Sequence, residues 1–346
     1  MNVLVTGGSG HLGANLIRRL LERGESVRAL ARKGSNNAAL EGLGVERVEG
    51  DLREPASLRA AVRGCRRIYH CAAKVSTADA QHQEIYECNV LGTRNLLRAA
   101  LEAGVSRVVV TGSFSAVGHD PSRTADDETV PFHPFERHLP YGISKAFVEQ
   151  ECWKAALEGL EVVVAVSCAI LGPHDFKPSR MGRVLVDFAN GRLRAYIPGG
   201  FEFVSARDIV EGHVLAMEKG RQGQKYVFST EFLSIDRLMG LLEEVTGQPR
   251  PRLRLPPPLM AGLATVSNFF LTRLAPERPQ RFTPGAVRLL RMQRRADITK
   301  AKTELGYQPS SIAGAVREAY AWFADRGAIA RPKRAVASYA IGTQNP

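Results

Sequence analysis

The 346-residue sequence predicts an α/β protein built on a doubly wound parallel sheet, with a smaller α+β region toward its C-terminus. Three observations carry that prediction. Runs such as NVLVT (2–6), RVVVTGS (107–113) and EVVVAVSCAI (161–170) are apolar almost throughout, which is the pattern of strands covered on both faces. Stretches with helical spacing separate them, as parallel crossovers require. The first strand also runs directly into a glycine-rich turn and a helix, VLVTGGSGHLG, which opens a βαβ unit.

Along the chain, NVLVT leads to a helix over 11–23, and SVRALA (26–31) leads through a short linker to VERVEG (45–50). RRIYHCAA (66–73) precedes a helix over 84–103, and RVVVTGS precedes the helix that carries Tyr141. With EVVVAVSCAI the series closes, so residues 1–170 are expected to form a Rossmann-type domain. After LGP (171–173) the rhythm breaks. Short strands RAYIPG, FEFVSA and KYVFST mix with helices near 180–190, 208–219 and 234–246. Residues 171–327 are expected to cap the sheet edge and hold the substrate, with some strands returning to the main sheet, and 328–346 to form a mobile tail. The stretch from Leu255 to Thr272 has no charged residue; it reads as a buried or pocket-covering helix, with contact to a membrane surface or an apolar partner as the alternative. Its opening prolines argue against a span.

Composition narrows the function. With 44% hydrophobic residues the chain has ample core material. No run of 18 apolar residues occurs, and MNVLVTGG lacks a basic leader, so the expected location is the cytoplasm. Five cysteines (65, 71, 88, 152 and 168) are odd in number and unclustered; they read as reduced thiols, without a metal site. The net charge of +12 is spread along the chain and carried by 37 Arg against 10 Lys, so no nucleic-acid partner is expected.

The turn places Gly7, Gly10 and Gly13, with His11 and Leu12 between, where a strand meets a helix. Glycines there permit close backbone approach to a pyrophosphate, and the helix N-terminus offers free N–H groups. A second-strand acid would bind an adenosine ribose, but Arg32 and Lys33 stand there. Basic side chains attract a 2′-phosphate, so NADP(H) is favoured over NAD(H). Asp51 with Glu54 fits a capping box, and a role at the adenine edge is compatible with it. Tyr141 and Lys145 are four residues apart, one turn on a helix.

These pieces in order, with HCAA (70–73), NVLGT (89–93), TGSFSAVG (111–118) and Tyr141-x-x-x-Lys145, resemble the extended short-chain dehydrogenase/reductase family from Val3 to about Phe323. The resemblance includes FVSARDIVEGHVLAME and the AKTELGYQPS segment. It implies that Tyr141 is the acid/base group, that Lys145 favours the phenolate and grips the nicotinamide ribose, and that Ser113 binds the reacting oxygen. Ser115 is the substitute for Ser113, and Gly112 stands where the family more often has Ser. Leu52 and Ala72 join the cofactor contacts. Ser115, Ser167, Cys168 and Phe176 are positional candidates for the substrate pocket. His70 and Asn89 read as structural ties, His138 as a surface histidine, and Asp208 as a cap or pair within the C-terminal region.

Three classes compete within the resemblance. The first is a carbonyl reductase or alcohol dehydrogenase for a lipophilic or aromatic small molecule, similar to dihydroflavonol reductases and 3β-hydroxysteroid dehydrogenases. The second is a sugar epimerase that holds NAD tightly; the third is a noncatalytic dinucleotide binder. Ala169 occupies the position where sugar-nucleotide epimerases carry Asn, which favours the first. A homodimer through the helices at 84–103 and 141–158 is expected from the resemblance.

Overall fold

The structure is a computed structural model that describes residues 2–75, 82–133, 140–256, 288 and 290–330. Its main sheet contains β1 (Asn2–Thr6), β2 (Val27–Ala31), β3 (Glu46–Glu49), β4 (Cys65–His70), β5 (Arg107–Ser113), β6 (Glu161–Ser167) and, from much later in the chain, β10 (Lys225–Phe228). All pair in parallel, in the order β10-β6-β5-β4-β1-β2-β3. The order reverses between β1 and β4, and the crevice at their carboxyl ends is where ligands bind in such sheets.

The sheet is covered on both faces because its strands alternate two sets of apolar side chains. Val3, Val5, Val163 and Ala165 meet α1 (His11–Glu22) and α7 (Ala206–Lys219) through Leu16, Ile17 and Val214. Leu4, Val162, Val164 and Val166 meet α2 (Pro55–Val62), α4 (Gly92–Glu102) and α5 (Pro140–Leu157) through Leu58, Leu96 and Val148. A short α3 (His82–Ile85) runs through a π turn over Tyr86–Leu91 into α4.

EVVVAVSCAI is not one strand. β6 ends at Ser167, the register partner of Ser113 at the end of β5. Beyond it the chain leaves the main sheet, and β7 (Ala169–Leu171) pairs with β9 (Gly200–Ser205). β9 in turn pairs antiparallel with β11 (Glu231–Ser234). Helices α6 (Arg180–Ala189), α8 (Ile235–Thr246) and α9 (Ile312–Asp325) build a third core against this small sheet. Two residues each of β8 (Ala195–Tyr196) and β12 (Leu253–Arg254) pair beside it. Because α7 and β10 return to the main layer, that layer draws on residues from both sides of position 171. His138, positions 257–272 of the uncharged stretch and the tail from 331 lie outside the described residues. No helix among the described residues is long and apolar enough to cross a membrane.

Candidate active site

The site begins at the turn after β1. Gly7 takes φ +74°, and a Cβ there would lie 2.6 Å from the amide nitrogen of Ala72. A Cβ on Gly13 would lie 2.3 Å from the Gly7 carbonyl oxygen. Gly10 precedes α1 without a side-chain cap, so the first-turn N–H groups of His11, Leu12 and Gly13 lack intrahelical acceptors. This bare backbone at the switch point fits the pyrophosphate of a dinucleotide. The His11 ring turns away to the other chain segment, with Nε2 3.0 Å from the Pro173 carbonyl oxygen.

Arg32, Lys33, Ser35, Glu49, Asp51 and Arg53 line a cavity of about 500 Å³ at the ends of β2 and β3. Asp51 does not form the expected capping box. Its carboxylate accepts from Arg53 Nε at 3.0 Å and Nη2 at 2.8 Å, and from the Arg53 amide at 2.9 Å. These bonds hold its pKa below the usual carboxylate range. α2 starts instead at Pro55, with Glu54 as an N-cap whose side chain makes no capping bond, since proline fixes the first helical φ without needing one. Leu52 is buried and presses on Gly92, where a Cβ would come within 2.8 Å of the leucine Cβ.

At the carboxyl end of β5, Ser113 and Ser115 hydroxyls are 2.8 Å apart, and the Tyr141 hydroxyl hydrogen-bonds to Ser113. Both serines thus join one hydroxyl chain with the tyrosine. Burial raises the Tyr141 pKa to about 12, against the lowering effect of its bond to Ser113. Lys145 is buried, and its Nζ donates to the Thr111 carbonyl oxygen at 2.7 Å. Burial draws its pKa down to about 8. The Lys145 ammonium is thus held on β5, and burial is the largest influence on the phenol.

Gly112 has a steric reason. A Cβ there would meet Val164 Cγ1 at 2.8 Å and Val166 Cγ2 at 3.1 Å. Ser167 lies beside Ser113 in register, with its hydroxyl donating to the Cys168 carbonyl oxygen at 2.9 Å. Burial pushes the Cys168 thiol up, and Ser229 hydrogen-bonds it. The Phe176 ring carries the guanidinium groups of Arg18, 5.1 Å from its centroid, and Arg326, 4.6 Å from it. His70 bridges Thr6 at 2.7 Å and Thr93 at 2.9 Å, and Asn89 ties Lys74 to Ser144; both are structural ties. Asp208 is no N-cap, since Ser205 caps α7; its carboxylate accepts from Thr230 and Ser310 instead.

Two residues escaped the sequence reading. Glu149 is buried one turn beyond Lys145 and pairs with Lys225 at 2.9 Å; the Lys-x-x-x-Glu spacing was visible, but its burial was not. Lys177 donates to Ser9 in the glycine turn at 3.2 Å, a meeting of distant segments that leaves no local signal.

Comparisons with known proteins agree with this frame. The model of the NAD dependent epimerase/dehydratase family matches residues 3–228. The chain is 47% identical over 329 residues to sterol demethylase protein B of Methylococcus capsulatus, covering 95% of this chain and 100% of that protein. It is 34% identical over 330 residues to a putative dihydroflavonol 4-reductase of Synechocystis, covering 94% and 95%. A 4-hydroxy-2-methyl-3-oxo-4-farnesyl-3,4-dihydroquinoline-1-oxide ketoreductase of Stigmatella aurantiaca is 31% identical, covering 89% of this chain and 92% of that one. Among solved structures, gox2253 superposes with a TM-score of 0.83 at 32% identity, covering 95% of this chain and 99% of that one. Sheet order, glycine turn and full-length similarity converge, and the chain belongs to the NAD-dependent epimerase/dehydratase family, within the extended short-chain dehydrogenases/reductases.

Proposed function

We propose that the protein is an NADP(H)-dependent oxidoreductase that interconverts a ketone and a secondary alcohol on a lipophilic, ring-bearing small molecule. The observation that carries this reading is the part-buried chain of hydroxyls from Tyr141 through Ser113 to Ser115, placed at the carboxyl edge of the sheet with Lys145 one turn along α5. A bound nicotinamide supplies hydride exchange with the carbinol carbon. The protein's part is the proton and the charge on oxygen.

In the reducing direction, negative charge builds on the carbonyl oxygen. The Ser113 hydroxyl donates a hydrogen bond to it, and Tyr141 delivers its phenolic proton. A phenol raised to about 12 is protonated at neutral pH, as a proton donor must be. The ammonium of Lys145 stabilises the phenolate left behind. Alcohol oxidation runs the same proton in reverse, with the phenolate as base.

The substrate class is inferred from relatives whose names specify a sterol, a flavonol and a farnesylated quinoline. All three are fused-ring compounds rather than sugar nucleotides. Ala169 on β7 offers no polar group for a sugar diphosphate, which points the same way. The test is turnover of NADPH with fused-ring and aromatic ketones, alongside Tyr141→Phe. That variant should bind cofactor like the wild type and lose about 10²–10⁴-fold in kcat. A Tyr141→Phe protein that keeps its rate would refute the tyrosine mechanism. NAD retained through purification, without net turnover of ketones, would favour the closed redox cycle of an epimerase.

A further inference from the structure

The segment joining β7 to α6 is fastened onto the glycine turn. His11 Nε2 and Asn15 Nδ2 both reach the Pro173 carbonyl oxygen, at 3.0 and 2.9 Å. Arg18, one turn further along α1, covers the Phe176 ring. Between these anchors His174 is held at φ +58°, a left-handed conformation that is unfavourable for a residue with a side chain. Local preference does not select such a backbone; docking onto α1 does.

The effect of this docking is to place Lys177. Its Nζ lies 3.2 Å from the Ser9 hydroxyl at the tip of the glycine turn. Burial lowers its pKa, and the charge on Arg32 lowers it further. Among the described residues, Lys177, Arg32 and Lys33 form no ion pair; Asp51, which also feels the charge on Arg32, is occupied by both donor groups of Arg53. Arg32 and Lys33 line one cavity with Glu49, Asp51 and Glu54, and Lys177 brings a further positive charge from a separate segment; like charges repel one another. A dianion between the three cations turns that repulsion into attraction.

We propose that Lys177 is a cofactor-selecting residue: together with Arg32 and the Ser9 hydroxyl it binds the 2′-phosphate of NADP, reaching the adenosine end from the C-terminal region. This rests on the NADP reading above. Lys33 and Arg32 belong to the end of β2, whereas Lys177 arrives only when the 172–177 segment is docked, so phosphate binding and docking support each other.

The experiment is equilibrium titration of wild-type protein, Lys177→Met, Lys177→Arg and Arg32→Ala with NADPH, NADH and 2′,5′-ADP, read by calorimetry. Loss of one charge-assisted contact should weaken NADPH and 2′,5′-ADP about tenfold in Lys177→Met while NADH stays within about twofold. Lys177→Arg should keep most of the affinity. If Lys177→Met binds NADPH like the wild type while Arg32→Ala loses it, the proposal fails and the NADP reading stands. Equal losses for NADPH and NADH would mean a pyrophosphate contact and would overturn the selective role. A wild type that binds NADPH no better than NADH would overturn both.

Discussion

Burial acts in opposite directions on the two groups that share the active-site helix. It raises Tyr141 to about 12 and lowers Lys145 to about 8, because in each case it disfavours the charged form. As pH rises, Lys145 therefore loses its proton long before Tyr141 does. For the ketone-reducing direction, kcat/KM should fall as pH passes about 8 through loss of the ammonium, while the phenol is still protonated. Glu149 acts on this through Lys145: its charge favours the ammonium, so we propose that it is a positioning residue. Glu149→Gln should move the alkaline limb of the pH profile to lower pH, and an unmoved limb would show that its role is only to pair Lys225. Lys145 also has a stability consequence. Between about 8 and the usual lysine value the unfolded chain binds more protons than the folded one, so stability contributed through this group rises with pH across that window. At pH 7 the folded state holds a buried ammonium at a cost of about 3 kcal/mol, offset by about 1 kcal/mol from its bond to Thr111. Lys145→Met should thus be inactive yet more stable by about 1–2 kcal/mol in urea unfolding.

Strands and helices were legible where a local pattern and the tertiary fold agree. NVLVT, RVVVTGS and EVVVAVS are apolar on both sets of alternating positions, and the structure uses both sets, one against α1 and α7 and the other against α2, α4 and α5. The break after Ser167 had no such mark, since no glycine or proline interrupts VSCAI; the strand changes sheets because β5 ends beside it. The capping box at Asp51 failed because Arg53 competed for the carboxylate within two residues. Within the candidate site, the glycine turn, Ser113 and the Tyr141–Lys145 spacing were legible, whereas the Lys145 bond to Thr111 and the approach of Lys177 to Ser9 are decided by packing of distant segments. Gly112 shows the same limit inside one strand. It reads as a departure from a family pattern, and its cause lies on β6, where Val164 and Val166 fill the space a side chain would need. Gly112→Ser should cost about 1–3 kcal/mol by overpacking, measured as a lower unfolding midpoint. Adding Val164→Ala should recover part of that loss, and a double variant no better than the single one would place the strain elsewhere.

At the scale of the whole molecule, apolar surface gathers on the active-site helix. Leu157 is 90% exposed, and Phe147 and Tyr86 are each 41% exposed with their rings edge to face at 6.3 Å. A face bearing exposed large apolar groups calls for a partner. Beneath it, Arg94 on α4 holds the buried Glu151 on α5 with two bonds of 2.9 Å, so the two helices present one rigid surface. We propose that this surface joins two copies of the chain, in a two-fold pairing where each α5 lies against its counterpart. Tyr141 and Lys145, proposed above as the acid/base pair, sit on the same helix, so assembly and activity become linked through α5. Light scattering on the eluting protein should give twice the 37.8 kDa chain mass. Phe147→Glu with Leu157→Glu should shift it to the single-chain mass, because paired helices would bring like charges into an apolar contact. If cofactor binding persists in that variant while turnover falls, α5 is held in its working position by the partner copy. An unchanged mass would remove this face as the interface.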